Sequence, residues 1–174
     1  MSAPDEVLPA RLARGAVGGV VSGAVFIAVT MWFATTMPGG KAEMPLRMIS
    51  TIVKGSDAMK EGTTSAGLGL VVHVILSALF GVVFALAVPY LRTNGTVALA
   101  GTIYGGLLYV VNFLVLAPLF FTVFKTANKP FELFAHLVFG TVLSLAFYGA
   151  GVRRHEGLLS VGAPAGASRH PVAH

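Results

Sequence analysis

The chain reads as an all-α integral membrane four-helix bundle, and three observations predict it. Residues 15–40, 62–91, 93–124 and 133–152 contain no Asp, Glu, Lys or Arg. A helix crossing a hydrocarbon core about 30 Å thick needs roughly 20 mostly apolar residues, and each stretch is long enough. Only 11% of the residues are charged and 55% are hydrophobic, whereas a soluble domain carries about 25% charged residues. Small and polar residues also recur every four positions within the apolar stretches, the spacing of one helix face.

Residues 1–13 form a polar N-terminal arm with Pro4 and Pro9. Span one covers residues 14–37 and stops at Pro38-Gly39-Gly40. It is too long for the apolar region of a signal peptide, roughly 7–15 residues, and is expected to be retained. Residues 41–63 are the one sizeable loop. Within them, residues 44–54 suit a short amphipathic helix with Leu46, Ile49, Ile52 and Val53 on one face. Such a helix either lies in the headgroup plane or packs on the protein's own ends. Span two covers 65–90, with Thr63, Thr64 and Ser65 available as N-caps. A tight turn at 92–95 leads to span three, 96–117, which Thr96 is placed to cap and Pro118 to kink or end. Span four covers 130–152. Residues 153–174, rich in Gly, Ala, Ser, Pro and His, read as a flexible C-terminal tail.

Lipid tails are as apolar as leucine, so membrane helices associate through small residues and interhelical hydrogen bonds. Gly15, Gly19 and Gly23 form such a ridge on span one, and Gly101 and Gly105 form one on span three. Span two carries Ser65, Gly69, His73, Ser77, Gly81 and Ala85 at the same interval, and span four carries Glu132, His136, Gly140, Ser144 and Tyr148. Both stripes are expected to face protein, in the bundle interior or at a seam with another subunit. The strings 73–77 (HVILS) and 136–140 (HLVFG) are alike; helix-pair duplication and coincidence both account for that.

Spans two and four run in the same direction, which brings His73 and His136 to similar depth, nearer the side holding the 41–63 loop. An ionisable residue inside a membrane is a functional-site hypothesis. Three roles compete. The pair could serve as axial ligands of a b-type haem, since imidazole is a standard haem ligand. They could handle protons or contact a quinone, with Glu132 one turn before His136 and with Tyr109 and Asn112 adding hydrogen bonds. They could simply tie helices together. Two histidines do not fill a tetrahedral metal shell, so haem iron is the one metal they suit.

Taken in order, Pro45-Leu46-Arg47-Met48-Ile49, the pair His73 and Ser77, Tyr109 to Phe113 (YVVNF) and His136 to Gly140 (HLVFG) resemble a family of small, largely uncharacterised bacterial four-span membrane proteins. Some members carry a sodium–proline symporter label. The resemblance spans roughly residues 15–150. It implies a bacterial inner membrane and four helices, and it supplies no activity. Secondary transporters use internal repeats and discontinuous helices around a midplane site, and no broken-helix pair is visible in this sequence.

Cysteine is absent, which removes disulfides, thiolate metal sites and thiol catalysis. No nucleophile elbow, phosphate-binding loop or dinucleotide fingerprint occurs, so enzyme activity is not indicated. The net charge of +5 sits in loops and tails, without the basic aromatic face of a nucleic-acid binder. Arg14, Arg153 and Arg154 flank spans directly and favour cytoplasmic termini. Three functions follow as expectations. The first is an accessory or interaction subunit of a membrane complex, or a homo-oligomer, joined through the glycine ridges and residues 44–54. The second is a haem- or quinone-contacting redox protein using His73 and His136. The third is an oligomeric channel or transporter.

Overall fold

The computed structural model describes residues 8–149, all helix, turn or connecting segment, with no strand among them. Three helices are long and apolar enough to cross a membrane: Leu8–Thr36 (α1), Ala66–Tyr90 and Asn94–Leu119. The second is α3 (Ala66–Ala87) with a 3-10 turn at its end, and the third begins as α4 (Asn94–Tyr109). The last helix, α6 (Lys129–Leu145), has 17 residues. It is about 26 Å long at 1.5 Å per residue, shorter than the expected span because turns replace helix from Ala146 to Gly149. The expected end of that span, at Val152, the 153–174 tail and residues 1–7 of the arm lie outside the described residues. Residues 8–13, expected in the arm, instead form the first turns of α1.

Helix ends follow local chemistry. The Ser65 hydroxyl accepts from Leu68 N and the Asn128 side chain accepts from Phe131 N, so a side-chain oxygen caps α3 and α6 alike. Thr96 is not the cap of α4; Thr93 is, and Thr96 bonds back to the Thr93 N–H, closing a capping box. Pro118 does not end its helix. Residues Val110–Leu116 widen into a π-helical stretch, and Ala117–Leu119 (α5) continue it. Proline lacks an N–H and crowds the preceding turn; the wider turn makes room for its ring.

The amphipathic segment forms α2 (Met44–Lys54), as expected, and it packs on α3. Its buried face is Leu46, Ser50 and Thr51, whereas Val53 is exposed. The face is rotated from the expected one because Gly69 lets the α2 backbone touch α3: a Cβ there would overlap the Leu46 carbonyl. Ser50 Oγ accepts from Ser65 N, and Arg47 donates to the Thr64 carbonyl.

α1 and α3 pack antiparallel, as do α4 and α6. A Cβ on Gly15, Gly19 or Gly23 would strike Gly81, Ser77 or Ala85 of α3. One on Gly101 or Gly105 would strike Gly140, Ser144 or His136 of α6. The two seams therefore share one register, each with its histidine eighth after the N-cap. α1 also packs on α6, where Gly18 meets Ala146 and Leu143. Phe84, Val88, Val97, Leu143 and Phe147 fill the end away from α2. The outward faces are apolar, as at Val17, Val21, Val71, Ile75, Leu79, Ile103 and Leu107.

Candidate functional site

At the α2 end the two helix pairs part and leave a cavity of about 620 Å³. Its walls come from α1, α2, α3, the π-helical stretch and α6. The lining is rich in phenylalanine, including Phe26, Phe33, Phe113, Phe124 and Phe131, and α2 adds Met44, Met48, Ile49 and Ile52. Few polar groups enter: Thr30, His73, Ser77, Asn112, Thr126, Asn128, Glu132 and His136. A large, mostly apolar pocket with a few convergent polar groups is the general form of a small-molecule site.

Both histidines line this cavity, and both touch Phe26. The Phe26 ring stacks on His73 with centroids 5.7 Å apart and meets His136 edge-on at 5.0 Å. The expectation that spans two and four bring the two imidazoles to one level matches this arrangement. Their hydrogen bonds differ. His73 donates Nε2–H to the Gly23 carbonyl at 2.9 Å, a bond across the α1–α3 seam, with Ser77 Oγ 3.5 Å away. His136 donates Nδ1–H to the Glu132 carbonyl of its own helix at 2.7 Å. That leaves His136 Nε2 as an acceptor facing Asn112 Nδ2 at 3.4 Å.

A b-type haem between two histidines requires one nitrogen lone pair from each ring aimed at a shared iron. His73 Nε2 carries its proton into the helix seam, and Phe26 packs against both rings. The residues present do not fit an axial pair. No group of three metal-ligating side chains occurs among the described residues.

The remaining expected site residues separate into two places. Ser77 and Asn112 stand beside the histidines. Tyr109 meets His136 with its ring, centroids 6.0 Å apart, and stacks on Phe113. Ser144 is two turns deeper, fully buried against Gly101, and bonds the Thr141 carbonyl. Glu132 orients His136 through its backbone oxygen, while its side chain lines the cavity. Gly15, Gly19, Gly23, Gly81, Gly101, Gly105 and Gly140 all lie in the two intramolecular seams.

Sequence reasoning missed Phe26 and the ridge that carries it. Gly18, Ser22, Phe26 and Thr30 follow the same four-residue spacing and sit beside the glycine ridge on α1. That second ridge turns toward α6: Gly18 meets Leu143, and Phe26 meets Phe139 and His136. No family model, curated protein or solved structure matches the chain.

Proposed function

We propose that the chain is a four-span integral membrane protein that binds a lipid-soluble small molecule in the cavity between its two helix pairs. The observation that carries this reading is the cavity itself: about 620 Å³, aromatic-walled, with His136, Asn112 and Glu132 among its few polar lining residues. Pockets that hold drug-sized ligands run from roughly 300 to 1,000 Å³. The apolar outward faces support a lipid surround, and α6 serves as the fourth span. Trp32 and Phe120, both exposed at the cavity end, suit one membrane–water boundary, and Tyr90 suits the other. A bacterial inner membrane with both termini cytoplasmic is the assignment favoured by the sequence resemblance and the flanking arginines.

Two other readings draw less support. The glycine ridges that an accessory subunit would offer a partner are taken up inside the chain. A pore through the single chain is opposed by the aromatic and aliphatic packing of Phe84, Leu143 and Phe147 at the far end.

Native mass spectrometry of protein released from lipid nanodiscs tests the proposal. The expected result is a retained small apolar molecule that Ile49→Trp and Val111→Trp, both filling the cavity, displace. Retention unchanged in two variants that keep wild-type helicity would refute a ligand in the cavity.

A further inference from the structure

Resting on the cavity reading above, we infer that the ligand's head is cationic: the site takes a lipophilic cation, held by Glu132 within a phenylalanine cage. The charge pattern of the lining carries the argument. Glu132 is its only charged residue, and no Lys or Arg lines the cavity. Each histidine turns one N–H to a backbone carbonyl, that of Gly23 or Glu132, and His136 turns its Nε2 to the Asn112 amide. An anionic head would meet a carboxylate and no counter-charge. A neutral head would leave that carboxylate with the Lys129 ammonium, which is not hydrogen-bonded to it, as its electrostatic partner, and charge held away from water gains from closer pairing.

Among the described residues Glu132 has no ion pair. The nearest lysine along the chain is Lys129. Its Nζ is held by the Phe124 and Lys125 carbonyls, at 2.8 and 3.3 Å, rather than by the carboxylate. That ammonium also sits 5.2 Å from the centroid of the Phe113 ring. Phe113 therefore already accepts a cation at its ring, the interaction an aromatic cage offers to a ligand. Phe33 and Phe131 stack face to face with centroids 3.6 Å apart, and Phe131 precedes Glu132 directly. The combination of one acid, aromatic walls and a lining without Lys or Arg matches a large, weakly hydrated organic cation. It does not match a small inorganic ion, which would need more oxygen ligands than one carboxylate supplies.

Tetraphenylphosphonium and tetraphenylborate have the same shape and opposite charge, and triphenylmethanol is a neutral aromatic of similar bulk. Equilibrium binding of each to the full chain in detergent, above the detergent blank, tests the inference. Saturable phosphonium binding at least tenfold tighter than borate binding is expected. Glu132→Gln should remove that preference, weakening phosphonium tenfold or more without weakening borate. Glu132→Asp, which keeps the charge, should stay within a few-fold of wild type. Equal affinity for the two ions, or a preference that survives Glu132→Gln, would overturn the cationic assignment. If triphenylmethanol binds and Val111→Trp displaces it while the phosphonium does not bind, the cavity reading stands and this one falls. If none of the three binds, both fall.

Discussion

The α1–α3 pair and the α4–α6 pair use one seam and differ in what stands beside it. In each, glycines on the first helix meet a histidine-headed stripe on the second. The order of the small residues is exchanged: Ser77 then Gly81 in one, Gly140 then Ser144 in the other. Ser77 thus stands 3.5 Å from its histidine, whereas beside His136 that place is taken by Asn112 of the π-helical stretch. The second ridges contrast more. Gly18 brings α1 onto α6, and Ser22, fully buried, follows it one turn on. At the matching positions of α4 stand Ala100 and Tyr104, and Tyr104 reaches across to donate to the Phe80 carbonyl of α3 at 2.9 Å. Small residues close one inter-pair contact, and a large one props the other.

If the seams are equivalent, they should fail equally. Gly19→Val and Gly105→Val each drive a side chain into a facing backbone carbonyl. Each should cost about 3 kcal/mol, the upper end for overpacking, in reversible unfolding from mixed micelles. Gly106→Ala, whose Cβ would stand 3.6 Å from a Leu137 methyl, should be nearly silent. A tolerant Gly105→Val would mean the second seam is looser than the first. Gly18→Leu should cost roughly 1–3 kcal/mol by pushing α6 off α1. Cysteine crosslinking between α1 and α6 should fall while crosslinking within each pair persists.

The histidines should separate next. His73→Ala removes a 2.9 Å bond between helices, whereas His136→Ala removes one within its own helix and a longer, 3.4 Å one to Asn112. The first should cost about 1 kcal/mol more than the second, the typical worth of one buried hydrogen bond, by the same unfolding measurement. A smaller loss is expected for Tyr104→Phe, about 0.6 kcal/mol, the average for an interhelical side-chain bond in a membrane protein. A Tyr104→Phe loss above that of His73→Ala would make the prop, rather than the seam, the main tie between pairs.

Much of this was legible. Charge-free stretches located the long helices, and four-residue spacing marked the small-residue faces, where glycines allow backbones to touch, without saying which helix each face meets. On α2 the apolar positions Leu46, Ile49, Ile52 and Val53 share one face, yet Leu46 is buried and Val53 exposed. Periodicity gives a face and not its angle, and the angle is set by where Gly69 admits the α2 backbone. Phe26 carries no signal in the sequence, because a phenylalanine in an apolar helix looks like any lipid-facing residue until its neighbours are known. The partition of the histidines' hydrogen bonds was also out of reach. Spacing shows which helix face carries a ring, while the choice between Gly23 and Glu132 as acceptor depends on how close the adjoining helix lies.

The wide turn at Val110–Leu116 has a consequence for comparing this chain with others. The Ala117 N–H bonds the Asn112 carbonyl, five residues back, so the helix holds one residue more than a regular one of the same rise. A protein with the same architecture but a regular helix there would be one residue shorter in this region. It would turn a different side chain toward the histidine of its last helix, and an ungapped alignment would then pair Asn112 with a residue of the wrong face.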